Sequence, residues 1–144
     1  MTVTIRHATL AEIQRLYQHI PEFAGRYSLS DMQRRLGEAP ACSLIAEFNG
    51  QPIGFKLGYQ TQPDSFYSWL GGVLPDFRRH GVALALLVEQ ERWVQQRGYR
   101  RLSVKTRNQF RSMLMLLIGN GYQIVGLEKS GEVADYRLLL EKNV

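Results

Sequence analysis

SWLGGVLPDFRRHGVALALLV, residues 68 to 88, changes character twice. It opens as a strand ending at Val73, breaks at Pro75, passes through the basic loop Arg78-Arg79-His80-Gly81-Val82-Ala83, and continues as an apolar-faced helix. That layout is an anion cradle. The first turn of a helix carries backbone N–H groups without intrahelical partners, and the macrodipole adds partial positive charge there. Gly81 lets a ligand approach the backbone, small Ala83 keeps the next turn open, and two arginines and a histidine add donors. A pyrophosphate is the guest this geometry suits.

Working outward, Thr2–Arg6 reads as a short strand, and Thr9-Leu10-Ala11-Glu12 as a capping box for a helix reaching about His19. Ser28 or Ser30 caps a second short helix that stops near Gly37. Ala41–Phe48 and Gln51–Tyr59 are strands joined by Asn49-Gly50, a strong hairpin signal. Ser65–Val73 follows as a strand, and its Gly71-Gly72 pair points to a bulge or a close backbone approach. A helix from about His80 to Arg97 ends at Gly98. Arg101–Thr106 is a strand, Asn108 caps a helix through about Ile118, and Tyr122–Leu127 and Val133–Leu140 are the last strands. The order β-α-α-β-β-β-α-β-α-β-β predicts an α/β fold. Its sheet is mixed but mostly antiparallel, with about seven strands flanked by about four helices.

The 144 residues, 44% hydrophobic and 22% charged, suit one globular domain, 1–144, able to bury its own core. A single cysteine, Cys42, excludes an internal disulfide and a cysteine-based zinc site and fits a reducing compartment. No His/Asp/Glu spacing suggests a metal. The longest apolar run, Val82–Val88, is far below the roughly 18 residues of a spanning helix, and Met1–Arg6 has no signal-peptide core. The expectation is a soluble, cytoplasmic protein with no membrane partner. The net charge of +5 is concentrated around Arg78, Arg79 and Arg97–Arg111. Without a basic run or tail, composition argues against nucleic acid. The terminal strands offer edges for a homodimer.

The element order and the loop together resemble the GCN5-related N-acetyltransferase (GNAT) superfamily. Its cofactor loop reads Q/R-x-x-G-x-G/A after a strand ending V-x-P. Val73-Leu74-Pro75 and Arg78-Arg79-His80-Gly81-Val82-Ala83 match every fixed position. Asn108, and Gly121-Tyr122 closing the following helix, match a second family feature. The likeness extends from Val3 to Leu140.

The resemblance implies acetyl-CoA as cosubstrate and a small-molecule or peptide amine as acceptor. Arg78, Arg79, His80, Gly81, Val82 and Ala83 would hold the pyrophosphate through backbone amides. Gly71, Gly72 and Val73 would pair with the pantetheine like an extra strand, with an N–H near Gly71 facing the thioester carbonyl. Asn108 would bond the pantetheine or cap its helix. His80, at the helix entry, would line the phosphate loop rather than act as the base.

Amine acetylation needs a base for the ammonium and a proton for the leaving thiolate. Glu22, in the apolar setting Ile20-Pro21-Glu22-Phe23, is the candidate base; Glu47 and Asp64 are alternatives. The family's usual tyrosine acid falls at Leu117, which cannot donate, and Leu116 and Ile118 cannot either. Water, or Tyr27, Tyr67 or Tyr122, remains. Tyr67 and Trp69 share a strand face and either wall the acceptor pocket or pack in the core. Replacement of the acid keeps a second reading alive, a non-catalytic acyl-CoA-binding sensor.

Overall fold

The computed structural model describes Met1–Val144. Its elements are β1 (Thr4–His7), α1 (Leu10–Tyr17), α2 (Leu29–Leu36), β2 (Ala41–Phe48), β3 (Gln51–Gln62), β4 (Ser65–Val73), α3 (Val82–Gln96), β5 (Arg101–Arg107), α4 (Arg111–Gly119), β6 (Gln123–Glu128) and β7 (Arg137–Asn143). Short 3-10 turns stand at Pro21–Phe23, Pro75–Phe77 and Val133–Asp135. The strands form one sheet, ordered β1-β2-β3-β4-β5-β7-β6. Only β4 and β5 run parallel, because α3 carries the chain across between them. No helix is long and apolar enough to cross a membrane.

Strand alternation builds two cores. Leu44 and Ala46 of β2 face α3 with Val82, Leu86 and Val94. Ile45 between them faces the opposite side, with Phe55 and Leu57 of β3 and Ile13 and Tyr17 of α1. The Asn49-Gly50 hairpin forms with both residues at positive φ (51° and 76°), as a type I′ turn requires.

Three local expectations change. Thr9 accepts from the Glu12 N–H at 3.2 Å, but the Glu12 carboxylate turns to Arg6 at 2.7 Å, so only half the capping box closes. The complete box belongs to Ser28 and Asp31 on α2. Asn108 does not cap α4, which begins at Arg111. Its amide donates to the Val133 carbonyl at 2.9 Å and its backbone N–H to Tyr136 at 3.0 Å. Val133–Asp135, expected to open the last strand, is a 3-10 turn, so β7 starts at Arg137.

The feature that positions the site is a fork in the sheet. β4 pairs with β5 only from Ser65↔Arg101 to Ser68↔Val104, whereas β5 stays paired to β7 through Arg107↔Arg137. At the divergence β4 carries a bulge, since Gly58 faces Ser68 and Leu57 faces Leu70, leaving Trp69 over. An extra residue bends its strand and raises its twist. β4 therefore follows β3 away from β5, and Trp69–Val73 is left as an unpaired edge. The bulge lies before Gly71-Gly72, the pair that suggested it.

Candidate active site

The loop after β4 is built as an anion nest. Arg79 (φ 65°) and Gly81 (φ 79°) are left-handed, which turns successive N–H groups to one side. Holding a non-glycine residue there costs about 1–2 kcal/mol. The first intrahelical bond of α3 runs from the Ala85 N–H to the Gly81 carbonyl at 3.0 Å, so Val82, Ala83 and Leu84 keep unpaired N–H groups. A Cβ on Gly81 would meet nothing within 4 Å, so the mouth of the nest is open.

Arg78 plays a different part. Its own N–H donates to the Pro75 carbonyl. Its guanidinium turns back, with Nε donating to the Val73 carbonyl at 3.0 Å and Nη2 pairing with the Glu22 carboxylate. The side chain ties the loop to the end of β4. Arg79 and His80 are exposed beside the free N–H groups.

The β4 edge leads into this loop. The Leu74 N–H donates to the Ile53 carbonyl at 2.8 Å. Antiparallel pairs alternate, so Leu74, Gly72 and Leu70 turn their backbone groups toward β3, and Gly71 and Val73 turn theirs into the fork. The two glycines serve different faces. A Cβ on Gly72 would lie 2.9 Å from Ile20 Cδ1 and 3.1 Å from Phe23 Cε2. Gly72 is thus fixed by packing under the turn after α1. A Cβ on Gly71 would point to the other face, 3.5 Å from Lys56 Nζ.

The α1/α2 face of the fork is aromatic. Trp69 lies 5.1 Å from Tyr27 and 6.0 Å from Tyr59, and Tyr59 lies 5.7 Å from Tyr67. Arg35 spans this wall, with its guanidinium 4.8 Å from the Trp69 ring centre and Nε donating to the Tyr59 hydroxyl at 2.9 Å. Tyr67 and Trp69 are half-buried, packed on one side and open on the other. Burial pushes the Tyr67 hydroxyl up to about 12, so it stays protonated at neutral pH. A depression of about 390 Å³ lined by Arg26, Tyr27, Asp31, Arg34 and Arg35 adjoins the wall.

The candidate bases separate. Glu22 converges on the fork, but in an ion pair with Arg78 that is exposed on both sides (40% and 37%). The apolar surroundings expected for it are absent, because the turn buries Ile20 and stacks Phe23 on Tyr17 at 4.6 Å while aiming Glu22 outward. Glu47 is held by Arg6 at 3.0 Å on β2, two strands from the fork. Asp64 sits in the β3–β4 hairpin, roughly 20 Å along β4 from Gly71 at the usual rise per residue. Among the tyrosines, Tyr122 is buried on the α3 side and donates to Glu91 at 2.8 Å; burial pushes its hydroxyl strongly up.

Sequence reasoning passed over Arg35 and Lys56. Lys56, alone in the apolar run Pro52–Tyr59, shares a face with Gly54 and Gly58 beneath α3; a charge at that register was the available signal.

Residues 9–115 match the family model described as the acetyltransferase (GNAT) family. The chain belongs to that family. An acetyltransferase of Pectobacterium atrosepticum is 36% identical over 78 residues, covering 54% of each protein. The chain thus spans about half the length of the curated relatives it matches. Among solved structures, the ribosomal-protein-S18-alanine N-acetyltransferase of Escherichia coli superposes with a TM-score of 0.84 at 18% identity, covering 99% of this chain and 94% of that one. The PaiA N-acetyltransferase of Thermoplasma acidophilum, solved with coenzyme A, gives 0.75 at 14% identity over the full length of both chains. At such identities these two structures establish the fold.

Proposed function

We propose that this protein is an acetyl-CoA-dependent N-acetyltransferase that passes the acetyl group directly to a primary amine. The observation that carries this reading is the continuity of two unsatisfied backbone surfaces. The edge groups of Gly71 and the Val73 N–H lead, through the turn at Pro75, to the free N–H groups of the loop at Arg79–Ala83. An extended amide chain ending in a pyrophosphate complements both at once.

In this reading the loop amides hold the pyrophosphate, Gly71 and Val73 hold the pantetheine, and Arg78 acts through its scaffold contacts. The bound thioester supplies an activated acetyl carbonyl. The Gly71 N–H, already aimed into the fork, stabilises the oxyanion that develops when the amine attacks. The acceptor approaches from the Tyr67–Trp69 wall. Arg26, Arg34 and Arg35 beside it repel polycations and favour an amine of low net positive charge, on a small molecule or a peptide terminus. Glu22, paired with Arg78, is the base in this reading, after release from Arg78 or through water.

Calorimetric titration of acetyl-CoA into wild type and Gly81→Glu tests the cofactor half, with circular dichroism to confirm that the variant folds. Saturable binding lost in a folded variant supports the assignment; no binding at millimolar acetyl-CoA refutes it. Amine-dependent release of CoA thiol across a panel of acceptors then tests transfer.

A further inference from the structure

On the α3 side of the fork, β3 carries a lysine where the fold calls for an apolar residue. Lys56 is 6% exposed. Its register partner is Gly71, and Nζ lies 3.5 Å from where a Gly71 Cβ would stand. The side chain has therefore crossed from β3 onto β4, over the one residue that leaves room for it. Beyond Gly71 there is no further strand, only the fork.

The ammonium has no ion-pair partner. The charged and titratable groups facing it are few: Glu91 on α3 and the Cys42 thiol on β2 act at longer range. Glu91 is already engaged by Lys142 Nζ at 2.9 Å and by the Tyr122 hydroxyl. Cys42 is buried and pushed up to about 12, hence neutral. Gln90 of α3, over the neighbouring Gly58, has a sealed carboxamide with no partner. Lys56 Nζ instead reaches Gly71, on the stretch of β4 that has left β5. Buried cations are ordinarily paired; this one lies beside the candidate oxyanion residue, 3.5 Å from where a Gly71 Cβ would stand.

We propose that Lys56 is the catalytic proton donor to the departing CoA thiolate, in the place left empty by the apolar Leu117. This rests on the acetyl-transfer reading above. As the amine nitrogen bonds to the acetyl carbon, the C–S bond breaks and its electron pair goes to sulfur. Lys56 Nζ gives sulfur a proton, yielding CoA thiol and a neutral lysine. The proton shed by the new amide nitrogen passes to solvent by way of the Glu22 base, and Lys56 is reprotonated from water. Leu117 is buried with no polar atom to offer, and Tyr27 and Tyr67 stand on the opposite face. Burial pulls Lys56 down to about 8, near enough to working pH for it to give and regain a proton in each cycle.

The test uses CoA thiol itself, followed by the ultraviolet absorbance of the thiolate as pH is raised. In the wild-type complex the thiol midpoint should fall at least one pH unit below that of free CoA, because an adjacent ammonium favours the thiolate. Lys56→Met should bind acetyl-CoA, which carries no free thiol, with unchanged affinity, lose that displacement in the CoA complex, and lower kcat by about 100-fold. Lys56→Arg should restore the displacement but not kcat, since a guanidinium does not release its proton. CoA binding without a displaced thiol midpoint in wild type overturns the proposal and leaves the acetyl-transfer reading intact. Full activity in Lys56→Met, loss of CoA binding in that variant, or a stable acetyl group on Lys56 by mass spectrometry also overturns it. Failure of wild type to bind CoA at all removes both readings.

Discussion

Replacing Lys56 by methionine should make the protein more stable, and the gain should vanish as pH rises. Burial lowers this lysine from 10.5 to about 8. Between those values the unfolded chain holds the proton and the folded chain does not, so wild-type stability climbs with pH there. Below about 8 both states are protonated and the folded state bears the whole burden, about 3 kcal/mol at 1.36 kcal/mol per pH unit. Methionine has a similar length and no charge to desolvate. At pH 7 the variant should therefore gain about 3 kcal/mol, or roughly 6–12 °C in Tm for a chain of this size. By pH 9.5 about 2 kcal/mol of that difference should be gone. Other groups titrate in the alkaline range, notably Cys42 and Tyr67, both pushed up by burial and both lowering stability once the unfolded chain ionises first. They are common to both proteins, so the quantity to measure is the difference in urea-unfolding free energy between variant and wild type from pH 6.5 to 9.5. A variant less stable than wild type at pH 7, or a difference flat across this range, would refute the reasoning, for the ammonium would then be contributing to the fold.

Gly72→Ala should lose about 1–3 kcal/mol from the overpacked contacts with Ile20 and Phe23, whereas Gly71→Ala, with its nearest contact at 3.5 Å, should be within about 1 kcal/mol of wild type; thermal denaturation of the pair separates them. Gln90→Met should stabilise by about 1–3 kcal/mol, because both amide atoms are buried without partners, and chemical denaturation reads this directly. Arg78→Ala should cost about 1 kcal/mol of stability and weaken acetyl-CoA binding only a few-fold, since its exposed ion pair is worth little and the nest is made of backbone; a loss of binding as complete as that expected for Gly81→Glu would mean that the guanidinium itself holds the pyrophosphate.

The backbone geometry of the loop was legible because its signals are local. Backbone conformation, a glycine and a helix start suffice, and Arg78–Ala83 carries all three in sequence. The strands were legible for a similar reason, since alternation and the Asn49-Gly50 turn are short-range signals. The fork was not. It depends on one residue of excess in β4 relative to β3, and that excess is defined only once Gly58 and Ser68 are paired. The Gly71-Gly72 doublet drew attention to the right strand for a mixed reason, one glycine being set by Ile20 and Phe23 and the other by Lys56. Asn108 had the composition of a cap, but tertiary partners at Val133 and Tyr136 claimed its donors and moved the helix start to Arg111. Glu22 had apolar neighbours in sequence and a cation in space.

The contacts of Arg78 show how the two halves of the site are joined. Val73 turns its backbone into the fork, yet its carbonyl is already taken by Arg78 Nε. An extended ligand pairing along β4 can use Gly71 on both sides and the Val73 N–H, and there the ladder stops. Two residues later Pro75 opens the turn into the nest, whose N–H groups are free. In the proposed reading the edge thus changes from a surface for amides into a surface for anions where a pantetheine arm would meet its pyrophosphate. The same guanidinium grips Glu22, on the turn whose Ile20 and Phe23 lie over Gly72. Displacing that carboxylate would free both the loop and the turn over Gly72, so in the proposed reading the Glu22–Arg78 pair would link the cofactor and acceptor sides.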